Sequence, residues 1–180
     1  MHGSLRGGRV GPVGGGRRLI VMRHAKAEPF ASTDHARVLT DRGHADAAEA
    51  GRWLAGLGAL PTHVLVSTAA RTRETWAAVA ESAGAKAEVS FDEALYHGGV
   101  DAAVEAIQVV DPEAETVMFI GHNPTAAYLS HFLDDGDGDE EAISGMLRGF
   151  PACAVVVFEL TGSWADVRPE AGRVVAFHAP

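Results

Sequence analysis

Arg23-His24-Ala25 follows the apolar run Leu19 to Met22, Ser67 to Arg71 follows Val64, Leu65 and Val66, and Gly121-His122-Asn123-Pro124 follows Thr116 to Ile120. Each run predicts a buried strand, so each polar group is expected where a strand ends. The residue types suit phosphate chemistry, because a guanidinium fork matches phosphate oxygens and a neutral imidazole can attack phosphorus. One Arg-His pair, or one histidine behind a strand, is an ordinary structural or surface feature. Three such groups at equivalent topological positions point together to a site that binds and transfers phosphate.

The elements that must position these groups follow from periodicity. Arg18 to Met22, Thr62 to Val66, Lys86 to Phe91 and Thr116 to Ile120 read as strands. Asp41 to Leu57 reads as a helix capped by Thr40 and stopped by Gly58, and Arg71 to Ala83 as a helix ended by Gly84. Val100 to Val110 and Pro124 to Leu133 supply two more, and Glu28 to Leu39 reads as a loop. This alternation predicts an α/β fold of three layers, α/β/α, with a mostly parallel sheet and helices on both faces. Ala154 to Leu160 and Arg173 to Phe177 leave no room for a crossover helix around Gly162-Ser163. They predict a C-terminal antiparallel hairpin with Trp164 partly exposed in its turn. Ligands bind beyond the carboxyl ends of strands in such sheets. If the three strands are neighbours, His24, Arg71 and His122 converge on one crevice.

With 47% hydrophobic residues, the 180-residue chain can bury one sizeable core, and the expected organisation is a disordered tail over 1–17 and a single domain over 18–180. Fifteen Lys and Arg against 24 Asp and Glu give a net charge of -9, which argues against nucleic acid and anionic membranes as partners. Any anion site must therefore be locally basic. No run approaches the ~20 apolar residues that span a bilayer, and the Gly- and Arg-rich opening lacks the apolar core of a secretory signal. A soluble, cytoplasmic protein is expected. Gly14-Gly15-Gly16 precedes the first strand, where a phosphate-cradling loop would follow it. The one cysteine, Cys153, excludes an internal disulfide and reads as a small buried hydrophobe.

The acidic run Asp134 to Glu141 fails as a calcium loop: counted from Asp135, the sixth residue is Glu140 and the twelfth Met146. It reads as a solvated loop. The nine histidines include no His-x-x-x-His pair, so no metal site is expected. Trp53 and Trp76 sit at helical spacing among Ala and Leu and read as core.

The spaced motifs resemble the histidine phosphatase superfamily, in which an Arg-His-Gly-type motif ends the first strand. They are Leu19 to Ala27, Asp34-x-x-Arg37-x-Leu39-Thr40-x-x-Gly43, Ser67-x-x-x-Arg71-Thr72-x-x-Thr75, Gly121-His122-Asn123-Pro124, and Phe150-Pro151 before an apolar strand. The likeness runs from about Arg18 to Phe177, and the Arg-His-Ala-Lys opening is similar to that of SixA-type phosphohistidine phosphatases.

The resemblance implies that His24 is the nucleophile that becomes phosphorylated, that Arg23, Arg71 and His122 form the phosphate pocket, and that Arg37 is a further phosphate or substrate contact. It implies a metal-independent phosphatase with no cofactor, acting on phosphohistidine in another protein, with small phosphomonoesters as the alternative substrate class. Physical chemistry agrees on His24, since nearby arginines disfavour the protonated ring and an attacking imidazole must be neutral. Ser67 and Asn123 are expected to organise the loops.

Mutase-like members carry a glutamate after the third strand, and Glu93 is the candidate general acid for an alcohol leaving group. A departing imidazole, with a pKa near ~6.5, needs less help. Ala25 stands where glycine is more usual, so that position cannot require a positive φ. No long insertion is present to close over a small sugar phosphate, and a mutase would want a more enclosed site. The rival of another class is a non-catalytic phosphate-binding module. A Rossmann domain would need Gly-x-Gly-x-x-Gly after the first strand, which is absent. Monomer and dimer stay equally open.

Overall fold

The computed structural model describes residues 16–180. The expected tail lies outside the described residues except for Gly16 and Arg17. Arg17 already belongs to the first strand, and its guanidinium donates to the carbonyls of Gly162 (3.1 Å) and Pro112 (3.0 Å).

The chain runs β1 (Arg17–Arg23), α1 (Asp41–Gly56), β2 (His63–Ser67), α2 (Ala70–Ala83), β3 (Glu88–Asp92), α3 (Ala94–His97), α4 (Val100–Gln108), β4 (Thr116–Gly121), α5 (Thr125–Leu133), α6 (Glu140–Arg148), β5 (Val155–Leu160) and β6 (Gly172–His178). One six-stranded sheet has the order β3-β2-β4-β1-β5-β6. The pairs β1–β4, β2–β4 and β2–β3 are parallel, whereas β5 is antiparallel to β1, and β6 to β5. The expected mostly parallel sheet with a C-terminal antiparallel hairpin is thus observed, and β2, β4 and β1 are neighbours.

Side chains alternate across the sheet, so each inner strand contributes to two cores. Leu19, Val21, Val117 and Phe119 pack with Ile107, Leu129 and Leu133 of α4 and α5 on one face. Ile20, Met22, Met118 and Ile120 pack with Ala50 and Leu54 of α1 and Trp76 and Val79 of α2 on the other. Full burial of each large apolar side chain contributes about 1.5–3 kcal/mol. Helices cover both faces because β1, β2 and β4 are apolar on both.

The helix boundaries follow the signals in the chain. Thr40 caps α1 by accepting from the Gly43 amide at 3.0 Å, and Gly84 ends α2 in the left-handed region at φ 64°. Gly51 lets α1 and α2 approach, since a Cβ there would meet the Val79 carbonyl at 2.6 Å and collide with the Ser82 hydroxyl.

Two expectations are corrected. The acidic run is not all solvated loop: Asp139 accepts from the Ala142 amide at 2.8 Å and opens α6, with Glu140 and Glu141 in its first turn. Carboxylates are favoured there by the helix dipole, and Ala142 and Met146 supply the buried face. Trp164 is not partly exposed but 1% exposed, in a 3₁₀ turn (Trp164–Asp166), and its indole donates to the Ala114 carbonyl at 2.8 Å. The β5–β6 connection is long enough to fold back over the α4 face. Among the described residues, no helix is long and apolar enough to cross a membrane.

Candidate active site

His24 leaves β1 next to the end of β4, its amide donating to the Gly121 carbonyl at 2.9 Å while its own carbonyl accepts from the Cys153 amide at 3.0 Å. The segment after it is pinned from two helices. At the start of α1, the Thr40 amide and hydroxyl both donate to the Lys26 carbonyl (3.0 and 3.2 Å), and Gly43 packs so closely there that a Cβ would collide with it. On α2, the Thr75 hydroxyl accepts from the Ala25 amide at 3.0 Å and donates to the Arg71 carbonyl at 2.6 Å. One buried hydroxyl thus fixes the backbone of His24's loop relative to that of Arg71. Ala25 is fully buried and is not among the residues with positive φ, which explains why its Cβ is tolerated.

The two histidines meet. Their ring centroids lie 5.3 Å apart at 57°. His24 Nδ1 is 2.7 Å from the Ala25 carbonyl, and His122 Nε2 is 2.7 Å from the Ser67 hydroxyl. Burial, partly opposed by the Ala25 bond and reinforced by Arg71, Arg23 and Arg37, lowers the pKa of His24 to about 4. Burial first, then Arg71 and His24, lowers that of His122 to about 3. Both rings are therefore neutral at pH 7. The neutrality ascribed from sequence to nearby arginines comes more from desolvation.

Arg23 donates to the Phe150 carbonyl at 3.2 Å, and the same oxygen accepts from the Asn123 side chain at 2.8 Å, which ties the ends of β1 and β4 together. Arg71 is buried and its two terminal nitrogens hold Asp34, one on the backbone carbonyl (2.9 Å) and one on the carboxylate (3.1 Å). Arg37 approaches from the loop, with Nε on the Asp34 carboxylate at 2.9 Å and a terminal nitrogen on the Glu28 carbonyl at 3.1 Å. Arg23 Nε, Arg71 Nε and His122 Nδ1 are buried with no protein partner, and buried polar groups are rarely left so. Such nitrogens suit an oxyanion's acceptors.

His24, Arg23, Arg71, His122 and Arg37 therefore belong to one electrostatic cluster at the carboxyl ends of β1, β2 and β4. Glu93 stands apart. Its side chain is 74% exposed and its partner is His97, at 3.7 Å. The carboxylate whose field reaches His122 is that of Asp34.

Sequence reasoning gave no role to two groups that organise the site. Asp34 takes bonds from the Tyr96 hydroxyl (2.8 Å), Arg71 and Arg37, which hold its pKa down to about 2. Tyr96, on α3, sits edge-on to His35 and His122. Asp34 opens the Asp34-x-x-Arg37 motif, but nothing local in the sequence links it to a tyrosine 62 residues away.

The family model for the histidine phosphatase superfamily (branch 1) matches residues 19–96. The uncharacterized protein Rv1276c of Mycobacterium tuberculosis is 37% identical over 162 residues, covering 88% of this chain and 99% of that protein. A structure assigned to phosphohistidine phosphatase SixA from Nakamurella multipartitia superposes with a TM-score of 0.82 at 36% identity, over 92% of this chain and 97% of the other. The protein histidine phosphatase SixA complexed with tungstate shares the fold, with a TM-score of 0.68 at 23% identity over 90% and 94% of the two chains.

Proposed function

The chain belongs to the histidine phosphatase superfamily, and from that premise we propose that it is a phosphohistidine phosphatase working through a covalent phosphohistidine at His24. The observation that carries this reading is the 2.7 Å bond between His24 Nδ1 and the Ala25 carbonyl. A carbonyl only accepts, so Nδ1 bears the single proton of the neutral ring. The lone pair is then on Nε2, and Nε2 is the nucleophile.

Nε2 attacks phosphorus, the bond from phosphorus to the substrate's imidazole nitrogen breaks, and the electron pair of that bond stays on the nitrogen; with a proton already on its distal nitrogen, the substrate ring departs as neutral imidazole and needs no further proton. Water then displaces Nε2 from phosphorus and inorganic phosphate departs. Arg23, Arg71 and the Nδ1–H of His122 bond the phosphoryl oxygens, and Arg37 adds charge at the rim, so the spreading negative charge meets fixed donors throughout. Catalysis of this kind uses positioning and electrostatics supplied by side chains. The reading accordingly makes turnover independent of added metal ion and needs no cofactor.

Phosphohistidine is favoured over an alcohol ester because its imidazole leaves with a pKa near ~6.5 and does not require a strong acid. Glu93, the acid candidate, is largely exposed and paired with His97. The partner is then a phosphohistidine-bearing protein in the cytoplasm. A competition assay with chelator present tests this: a phosphohistidine peptide should be hydrolysed in preference to small phosphomonoesters, and His24→Ala should abolish turnover. Preference for the monoesters would replace the substrate class. Phosphate binding without turnover by the native chain would leave a binding module instead.

A further inference from the structure

We infer that Tyr96 forms the wall of the leaving-group subsite and selects substrates whose phosphorylated atom is carried by an aromatic ring. The inference rests on the phosphatase reading above and adds where the departing group lies.

Tyr96 is half-buried on α3 and already serves as a platform for imidazoles. The rings of His35 (4.9 Å, 85°), His97 (4.6 Å, 67°) and His122 (5.6 Å, 74°) all meet it in tilted or edge-to-face geometry. That is the arrangement favoured by the aromatic quadrupole. Its hydroxyl is engaged by Asp34 at 2.8 Å, so the ring is locked and offers the site an apolar aromatic surface, with no free donor.

The lock also sets the ring in register with the phosphate groups. Asp34 holds Arg71 and Arg37, and the Arg71 guanidinium carbon lies 6.0 Å from the Tyr96 ring centroid. His122 has the His24 ring at 5.3 Å and the Tyr96 ring at 5.6 Å, so the phosphoryl group it bonds has both the nucleophile and the tyrosine at its margins. In transfer the attacking and leaving atoms lie in line through phosphorus, with the other oxygens directed to the equatorial donors. A ring departing opposite His24 Nε2 passes along the exposed part of Tyr96. An imidazole or phenyl group gains a ring contact there that a serine methylene cannot make.

The test uses the full chain and three probes: a phosphohistidine peptide, phenyl phosphate and a phosphoserine peptide. Tyr96→Leu keeps apolar bulk without the ring, and Tyr96→Phe keeps the ring without the hydroxyl. The readout is the ratio of kcat/KM for each aromatic probe to that for phosphoserine, which does not depend on how much of a variant is folded. The ratio should fall about five-fold in Tyr96→Leu, in line with the usual strength of aromatic pairs, and stay near the native value in Tyr96→Phe. A native ratio in Tyr96→Leu overturns the inference. So does an equal fall of the ratio in both variants, since Tyr96 would then act only through Asp34. If the native chain cleaves phenyl phosphate but no phosphohistidine peptide, the substrate reading fails while the phenyl-to-serine ratio still decides the role of Tyr96.

Discussion

Ser67→Ala removes one oxygen from a fully buried position and tests how His122 is kept as a donor. The hydroxyl lies 2.7 Å from His122 Nε2 and 3.4 Å from the Ala69 amide. The hydroxyl accepts from that amide, and Nε2 is, among the described residues, the one acceptor within reach of its own buried proton, so it donates to Nε2 and the ring proton stays on Nδ1. The pKa of about 3 keeps a second proton away. Without Ser67 either nitrogen can carry the proton, and the pocket keeps its donor only part of the time. A neutral hydrogen bond contributes about 0.5–1.5 kcal/mol net, and each 1.36 kcal/mol is about ten-fold in rate. Turnover should therefore fall roughly 2- to 12-fold in kcat, with a smaller change in KM, since phosphoryl charge grows in the transition state. Unfolding in urea, followed in parallel, should show a loss of about 1–3 kcal/mol from the unpaired Nε2. Nitrogen-15 shifts of the His122 ring give the direct assay: one Nδ1–H tautomer in the native chain, a mixture in Ser67→Ala. A native ring protonated at Nε2, or a variant with unchanged shifts and unchanged kcat, refutes the reasoning.

Proton titration of the ring signals should place His24 near 4 and His122 near 3, in contrast to the ordinary 6.5. Because the unfolded rings take up protons that the folded ones refuse, stability is full above about 6.5 and declines as pH falls toward the folded values. His24→Gln should lose less on going from pH 7 to pH 5 in urea unfolding, and an equal loss would contradict the assignment. Trp164→Ala should cost about 3–5 kcal/mol in the same assay, as expected for a large buried side chain; a cost below about 1 kcal/mol would mean the turn packs otherwise. Glu93→Gln should leave hydrolysis of a phosphohistidine peptide and of an alkyl phosphate alike within about two-fold, since the exposed carboxylate stands apart from the histidine pair. A large loss on the peptide would make Glu93 essential.

The parts of the fold legible in the chain were those whose signal is local. β1, β2 and β4 are buried on both faces, so Leu19 to Met22, Val64 to Val66 and Val117 to Ile120 appear as unbroken apolar runs. Thr40 and Gly84 act through their own backbone neighbourhoods, and both helix ends fall where those residues predict. α6 was hidden because its cap, Asp139, sits among other acidic residues, and its buried face is as slight as Ala142, Gly145 and Met146. The burial of Trp164 has no local signal, since its partner, the Ala114 carbonyl, is 50 residues distant. The same limit applies at the site. His24, Arg71 and His122 could be found by residue type at strand ends, whereas the Asp34 to Tyr96 bond joins residues that only the fold brings together.

The most direct measurement is rapid quenching of the enzyme with a labelled phosphohistidine peptide, followed by mass spectrometry of the digested chain. The expected result is a phosphoryl group on the peptide containing His24, stable in alkali and lost in acid, and absent from His24→Ala, which should also lack turnover. Label on a hydroxyl such as Ser67, or undiminished turnover by His24→Ala, would contradict a covalent intermediate at His24.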